Sequence, residues 1–198
     1  MRRRLLLSYT CAAALLVAAA HGQQRTPTVD AFAQVQALNA QLLAGHSATL
    51  VLETWCRDHH LADEPRVAAH LVSSVEKPAT VDQRRRLEVA DRDDVKFRHV
   101  QLTCGSRVLS EADNWYVPAR LTPDMNRQLE RSDTPFGKAV ASLEPTRETF
   151  SVRLLWSDSS TPMPGALFEH RALLFTRDHR PFSEVDEVYQ RGLFDPTR

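Results

Sequence analysis

Glycine is scarce in this sequence, with only 6 glycines among 198 residues. The loops that cradle phosphates in nucleotide-binding proteins need closely spaced glycines, because the backbone must come near the phosphate groups. No such cluster occurs here. The Gly-x-Ser-x-Gly pattern of hydrolases and the His-Glu-x-x-His and Cys-x-x-Cys patterns of metal or redox sites are also missing. The sequence therefore predicts neither a cofactor nor a metal site.

An excess of charge of one sign is also missing. Lys and Arg together number 25, and Asp and Glu together number 25, so the net charge at pH 7 is zero with neutral His. Proteins that bind nucleic acid usually carry a clear positive excess on one face. The basic run Arg84–Arg86 is expected to be the solvated edge of a short strand, Arg84–Val89, rather than a binding patch. We expect no nucleic-acid partner.

Long apolar runs are confined to the first residues. Arg2–Arg4 precede the mainly apolar stretch Leu5–Ala20, and small residues follow, which is typical of a secretory signal peptide over Met1–Gly22. A retained N-terminal anchor is the alternative, although a membrane-spanning helix needs about 20 apolar residues. We therefore expect a periplasmic or secreted protein without an integral membrane segment after signal cleavage.

The rest of the chain is large enough for one domain. Without Met1–Gly22 the chain keeps 176 of its 198 residues, with 22 basic and 25 acidic side chains and thus a net charge of −3. Residues 23–28 form a polar stretch that we expect to be a flexible tail. Residues 29–198 are then expected to form a single domain that buries one core.

Cysteine is scarce as well, and its positions are informative. Cys11 lies inside the predicted signal peptide, so Cys56 and Cys104 are the two cysteines of the exported protein. An even pair in an oxidising compartment favours a disulfide. Two separate buried thiols are the alternative.

The spacing of apolar residues changes along the chain from helical to alternating. Helical spacing predicts helices from Val29 to Gly45 and from Ser47 to His60, and two shorter ones that begin at Thr122 and Thr134. Alternation predicts strands at Arg66–Pro78, Val95–Cys104, Arg107–Tyr116, Thr146–Trp156, Ala166–Thr176 and Pro181–Tyr189. Helices followed by a meander of strands indicate an α+β fold, with an antiparallel sheet and helices packed on one face.

Six short elements occur in an order that resembles the chorismate lyase family. They are Phe97-Arg98-His99-Val100, Tyr116-Val117-Pro118, Thr134-Pro135-Phe136-Gly137, Thr146-Arg147-Glu148-Thr149-Phe150, His170-Arg171 and Glu187-Val188-Tyr189. Together they span roughly Val95 to Tyr189. The resemblance implies the chorismate lyase-like α+β fold and a pocket for a small aromatic or enolpyruvyl carboxylate.

The resemblance also implies roles for individual residues. The family's carboxylate-binding arginine corresponds to Arg98, and its pocket leucine corresponds to Phe136. Its catalytic glutamate corresponds to Glu187, or to Asp186 if the last hairpin is one residue shorter. A planar dianion favours a second guanidinium, and Arg153 is the candidate for it.

These roles imply a function with two alternatives. The family reaction eliminates pyruvate from chorismate, an enolpyruvyl ether, and leaves 4-hydroxybenzoate, so the first hypothesis is an exported enzyme of this type. The second is a periplasmic protein that binds a small aromatic carboxylate without turning it over, as related ligand-sensing domains of transcription regulators do. A secreted structural domain without a ligand is the third.

Overall fold

The computed structural model describes residues 27–72 and 76–194. The predicted signal peptide Met1–Gly22, with Cys11, lies outside these ranges. The helices are α1 (Pro27–Ala44), α2 (Ala48–Asp58), α3 (Val81–Arg86), α4 (Pro123–Arg131) and α5 (Phe136–Ala139). The strands are β1 (Val67–Leu71), β2 (Lys96–Cys104), β3 (Arg107–Tyr116), β4 (Thr146–Leu154), β5 (Ala166–Phe175) and β6 (Pro181–Gln190).

The six strands form one sheet in the order β1-β2-β3-β6-β5-β4, and all neighbours are antiparallel. Two meanders, β1-β2-β3 and β4-β5-β6, each pair along the chain. The two meanders are joined where β3 pairs with β6, two strands that are far apart in sequence. The α+β class with an antiparallel sheet is therefore confirmed.

The core lies between one face of this sheet and four of the helices. Along β3 the side chains of Ala112, Asn114 and Tyr116 face the helices, and all three are buried. Ala112 and Tyr116 join a hydrophobic cluster that includes Val35 and Leu38 of α1, Leu52 and Trp55 of α2, Leu129 of α4, Ala139 of α5, and Phe168 and Tyr189 of the sheet. A sheet with one packed face shows this alternation of buried and exposed residues.

The segment Arg84–Val89 was predicted as a strand, and that prediction is wrong. The structure has the helix α3 here, which begins with a capping box. The Thr80 hydroxyl accepts from the backbone N of Gln83, and the Gln83 side chain accepts from the backbone N of Thr80. These two bonds satisfy backbone donors that a helix start leaves free, so the short segment is helical despite its alternating pattern. Leu87 then packs on Trp115, on the sheet face opposite the main helices.

The N-terminal boundary also differs slightly from the prediction. Helix α1 begins at Pro27, inside the stretch that we expected to be a flexible tail. Proline suits the first turn of a helix, because its missing N–H would have no partner there.

None of the helices in the described ranges is long and apolar enough to cross a membrane.

A disulfide joins Cys56 of α2 to Cys104 at the end of β2, with the two Cα atoms 6.3 Å apart. Both cysteines are fully buried. The bond fastens a helix to the sheet across 48 residues of sequence. The structure therefore favours the disulfide over two separate thiols.

We expect the disulfide to contribute substantially to stability. In the chain-entropy model, closing a loop of this length stabilises the folded state by about 4 kcal/mol. The oxidised protein should therefore have a higher free energy of unfolding in urea than the Cys56→Ala/Cys104→Ala variant. The reduced wild-type protein is the matched control and should resemble the variant. Equal stability of oxidised and reduced wild type would contradict the expectation.

Candidate functional site

A cavity lies between the helix-covered face of the sheet, the N-terminal end of α2 and the short helix α5. Its volume is about 60 Å³, several times the roughly 10–15 Å³ that one water molecule needs. The apolar part of its wall is formed by Val100, Leu102, Ala112, Phe136, Leu174 and Val185. Seven polar side chains interrupt this wall: Arg98, Asn114, Arg147 and Glu187 on the strands, and His46, Ser47 and Thr49 around the start of α2.

Arg98 brings an unpaired cation to this cavity. It lies on β2, and the residue is only 4% exposed. Its Nε and Nη2 atoms have no hydrogen-bond partner among residues 27–72 and 76–194. Burial lowers the pKa of the guanidinium, while Tyr116 acts in the opposite direction. A guanidinium nevertheless stays protonated in proteins, so Arg98 places donors and positive charge at the wall.

Arg147 brings a second cation from the edge strand β4. Its side chain is 3% exposed, and Nη1 donates to the Thr149 hydroxyl at 2.9 Å. The other terminal nitrogen, Nη2, lies 3.9 Å from Oε2 of Glu187 and makes no hydrogen bond within the described part of the chain. Arg147 is therefore only partly neutralised.

Glu187 is the one acid that lines the cavity. Its Oε1 accepts from the Ser110 hydroxyl at 2.7 Å, and its Oε2 accepts from the Tyr189 hydroxyl at 2.9 Å. Burial raises the pKa of Tyr189 well above its ordinary value, so this phenol remains a donor. With two arginines and one carboxylate, the cavity has an excess of one positive charge.

Phe136 and Gly137 of α5 form part of the cavity wall next to α2. The Phe136 ring lies 5.7 Å from the ring of Tyr116 and 6.2 Å from that of Phe182, measured between centroids. A Cβ added at Gly137 would lie 2.8 Å from the Ser47 hydroxyl and 2.9 Å from the Thr49 hydroxyl. Glycine therefore permits α5 to approach the start of α2 this closely.

The structure brings three of the four predicted ligand-site residues together. Arg98, Phe136 and Glu187 line the cavity, whereas Arg153 does not. Arg153 is largely exposed on β4 and forms an ion pair with Glu169. Asp186, the alternative to Glu187, faces the other side of the sheet, where it lies 3.7 Å from Nε of Arg171. Successive residues of β6 face opposite sides of the sheet, so the two acids lie on different faces.

Sequence reasoning missed Arg147 as the second cation of the cavity. Its signal was present, because Thr146-Arg147 is one of the six elements that carry the family resemblance. Arg153 was preferred on charge alone, and charge does not reveal which face of an edge strand a residue occupies. Within the described ranges, no group of three or more His, Cys, Asp or Glu side chains could hold a metal ion.

His170 lies behind the cavity, on β5, directly opposite Glu187 of β6. It is fully buried, and its Nε2 lies 2.7 Å from Oδ1 of Asn39 in α1. Because that oxygen can only accept, Nε2 must carry the proton. Burial, and to a smaller extent the charge of Arg147, lowers the pKa of His170 from 6.5 to about 4. The imidazole is therefore neutral at neutral pH.

No family model matches this chain. A curated relative from Sinorhizobium fredii (strain NBRC 101917 / NGR234), "Uncharacterized protein y4mC", is 45% identical over 184 residues. The match covers 84% of this chain and 78% of the relative.

Two solved structures are similar in fold. The crystal structure of PhnF from Mycobacterium smegmatis has a TM-score of 0.50 at 14% identity, covering 87% of this chain and 89% of that chain. The ligand-binding domain of a GntR-family transcriptional regulator from Bordetella bronchiseptica has a TM-score of 0.46 at 15% identity, covering 64% and 83% of the two chains. At 14% identity the likeness to PhnF concerns the fold alone, which is the expected chorismate lyase-like α+β fold.

The neutral state of His170 predicts a loss of stability in mild acid. Its pKa is about 4 in the folded protein and 6.5 in the unfolded chain, so the unfolded chain binds more protons between these values. The free energy of unfolding should therefore fall as the pH drops from 6.5 to 4, by about 3 kcal/mol from this group. Urea titrations at several pH values measure the loss.

The variant His170→Gln is the matched control for this prediction, because glutamine does not titrate and can still donate to Asn39. Its stability should fall less over the same pH window. Carboxylates titrate in both proteins, so the difference between the two curves isolates His170. Parallel curves would show that His170 does not cause the acid sensitivity.

Proposed function

The chain belongs to the family of protein y4mC from Sinorhizobium fredii, and we propose that it binds a small aromatic carboxylate. The observation that carries the proposal is the pair of buried guanidiniums, Arg98 and Arg147, with unpaired donors in one apolar cavity. An unpaired buried charge costs considerable free energy. An anionic ligand would supply the missing partner, and proteins keep such costly groups mainly at functional sites.

The chemistry of the wall supports a carboxylate on an apolar body. A guanidinium presents its donors in a planar fork that matches the two oxygens of a carboxylate. Apolar side chains such as Val100 and Val185 would cover the rest of the ligand, and the Phe136 ring offers an aromatic face. Ligand sites commonly combine a mostly apolar lining with a few placed polar groups.

Elimination of pyruvate from chorismate is the second candidate, because Glu187 lies in the same cavity as the two arginines. As a proton donor, Glu187 would have to be protonated. Its two oxygens instead accept hydrogen bonds from Ser110 and Tyr189, and Arg147 lies nearby. These contacts engage both oxygens of Glu187 within the protein. The geometry therefore favours binding over catalysis.

We also propose that the protein acts in the periplasm or after secretion. The signal-peptide pattern in residues 1–22 supports this location, and so does the disulfide Cys56–Cys104, since disulfides persist in oxidising compartments. The protein recovered from a periplasmic extract should have an N-terminus after Ala20 or Gly22. An N-terminal sequence that begins at Met1 would contradict export by cleavage.

Replacing Arg98 should weaken the binding of an aromatic carboxylate. The variant Arg98→Met keeps the length of the side chain and removes the charge. Losing a charged hydrogen bond of 2–3 kcal/mol should weaken the affinity for 4-hydroxybenzoate roughly 30- to 150-fold in a calorimetric titration. The variant Arg153→Met removes an exposed arginine outside the cavity and should bind like the wild-type protein.

A stability measurement separates a binding role of Arg98 from a structural one. Since two buried nitrogens of Arg98 have no hydrogen-bond partner within residues 27–72 and 76–194, the free energy of unfolding of Arg98→Met without ligand should equal or exceed that of the wild type. Reduced stability together with unchanged affinity would contradict the proposal. Release of 4-hydroxybenzoate from chorismate by the wild-type protein, lost in Glu187→Gln, would instead establish the lyase.

A further inference from the structure

Asn114 carries an unpaired acceptor at the wall of the cavity. The residue lies on β3 and is 4% exposed. Its Nδ2 donates to the Ser183 hydroxyl on the neighbouring strand β6 at 3.0 Å, which fixes the orientation of the amide. The other end of the amide, Oδ1, is buried and has no hydrogen-bond partner in the described part of the chain. A buried carbonyl oxygen without a donor is costly, because it has lost the water that it would otherwise bind.

Asn114 lies beside Arg98. The two residues are directly opposite each other in the pairing of β2 with β3, and both side chains face the cavity. Directly opposite residues on one face of an antiparallel pair have Cβ atoms about 4.5–5.5 Å apart. The side chains of Arg98 and Asn114 therefore start from neighbouring positions on one patch of the wall, and each keeps a buried polar atom that nothing in the described part of the chain pairs.

No donor in the described part of the chain forms a hydrogen bond with this oxygen. Arg98, directly opposite, does not reach it, and the other neighbouring wall positions, Val100, Ala112 and Val185, carry no polar atoms in their side chains. A ligand that pairs the unpaired atoms of Arg98 and Asn114 must therefore have two features. The ligand needs acceptors for Arg98 and, on a neighbouring position, a donor for Asn114.

We propose that Asn114 selects aromatic carboxylates that carry an N–H or O–H group on the ring carbon next to the carboxyl-bearing carbon. This inference rests on the proposed function, since it assumes that Arg98 holds the carboxylate. An ortho amino group lies beside the carboxylate, as Asn114 lies beside Arg98. A site built to hydrogen-bond one group of a ligand rejects analogues that lack it, because its own buried polar atom then stays unpaired.

The two kinds of ortho donor, a hydroxyl and an amino group, differ in the number of protons that they can offer to Asn114. An ortho hydroxyl has a single proton, and it donates that proton to the neighbouring carboxylate of its own molecule. An ortho amino group has two protons, so one remains for the protein when the other is bound internally. The expected order of affinity is therefore 2-aminobenzoate, then 2-hydroxybenzoate, then benzoate. An acceptor at the same ring position, as in benzene-1,2-dicarboxylate, would meet Oδ1 of Asn114 and be disfavoured there.

The test is a set of calorimetric titrations of the disulfide-bonded protein with benzoate, 2-aminobenzoate and benzene-1,2-dicarboxylate. The wild-type protein should bind 2-aminobenzoate about tenfold more tightly than benzoate, within a range of roughly 5- to 150-fold for one satisfied buried acceptor. In Asn114→Leu, which has a similar volume and no acceptor, this affinity ratio should fall to about one. Gln101→Leu removes an amide from the opposite face of β2 and should leave the ratio unchanged.

Three outcomes would overturn the inference. The first is an equal affinity of the wild-type protein for benzoate and 2-aminobenzoate, and the second is an unchanged preference in Asn114→Leu. The third is a preference for benzene-1,2-dicarboxylate that Asn114→Leu abolishes. If Asn114→Leu does not fold, Ser183→Ala replaces it, because the amide then loses the partner that orients it and the ratio should fall.

These results are distinguishable from a failure of the proposed function. Arg98-dependent binding of benzoate without any preference for an ortho donor would leave the proposed function intact and remove the role of Asn114. Failure of the wild-type protein to bind any of the three acids would remove both.

Discussion

Strand β3 lies beside β6 over seven residue pairs, from Ser110 opposite Tyr189 to Tyr116 opposite Ser183, and the cavity depends on this pairing. It is the contact that joins the two meanders into one sheet. Through it, the β2–β3 half contributes Arg98 and Asn114, and the β4–β5–β6 half contributes Arg147 and Glu187. Each half of the sheet therefore supplies only part of the polar wall.

The polar groups of the cavity differ in how fully they are paired. Glu187 accepts hydrogen bonds from two hydroxyls, whereas Arg98, Arg147 and Asn114 each keep at least one buried atom without a hydrogen-bond partner among the described residues. Proteins pair almost all buried polar groups, since an unpaired one reduces the stability of the fold. Several unpaired atoms along one apolar cavity therefore form a pattern of donors and acceptors that a complementary ligand can complete. Packing in the hydrophobic core and the disulfide offset the stability that these unpaired atoms cost.

The disulfide and the helices hold this arrangement in place. Helix α2 begins at the cavity and is bonded near its other end to the end of β2, the strand that carries Arg98. Helix α5 reaches the same end of α2 because Gly137 has no side chain. A rigid frame lowers the cost of ordering the site when a ligand binds. The chorismate lyase-like fold does not by itself determine which ligand that is, because one fold can carry many functions.

The sequence by itself determined the class of fold and much of the element order. Alternation marked the strands of both meanders, and three residues named from the short motifs, Arg98, Phe136 and Glu187, line one cavity. Local patterns are enough for such inferences, because the periods of helices and strands are written directly into the chain. The sequence also contains the signal of the capping box, a Thr80 followed three residues later by Gln83, although Arg84–Val89 was interpreted as a strand.

Only the tertiary structure decided which polar groups meet. Arg147 and Arg153 lie on the same edge strand, yet one enters the cavity and the other pairs with Glu169 on the opposite face. An irregularity in the pairing of β4 with β5 lies between them, after Thr149, and it changes the face on which later residues lie. The orientation of the Asn114 amide likewise depends on Ser183, which is 69 residues away. Contacts across such distances depend on strand order and register, which no local pattern in the sequence specifies.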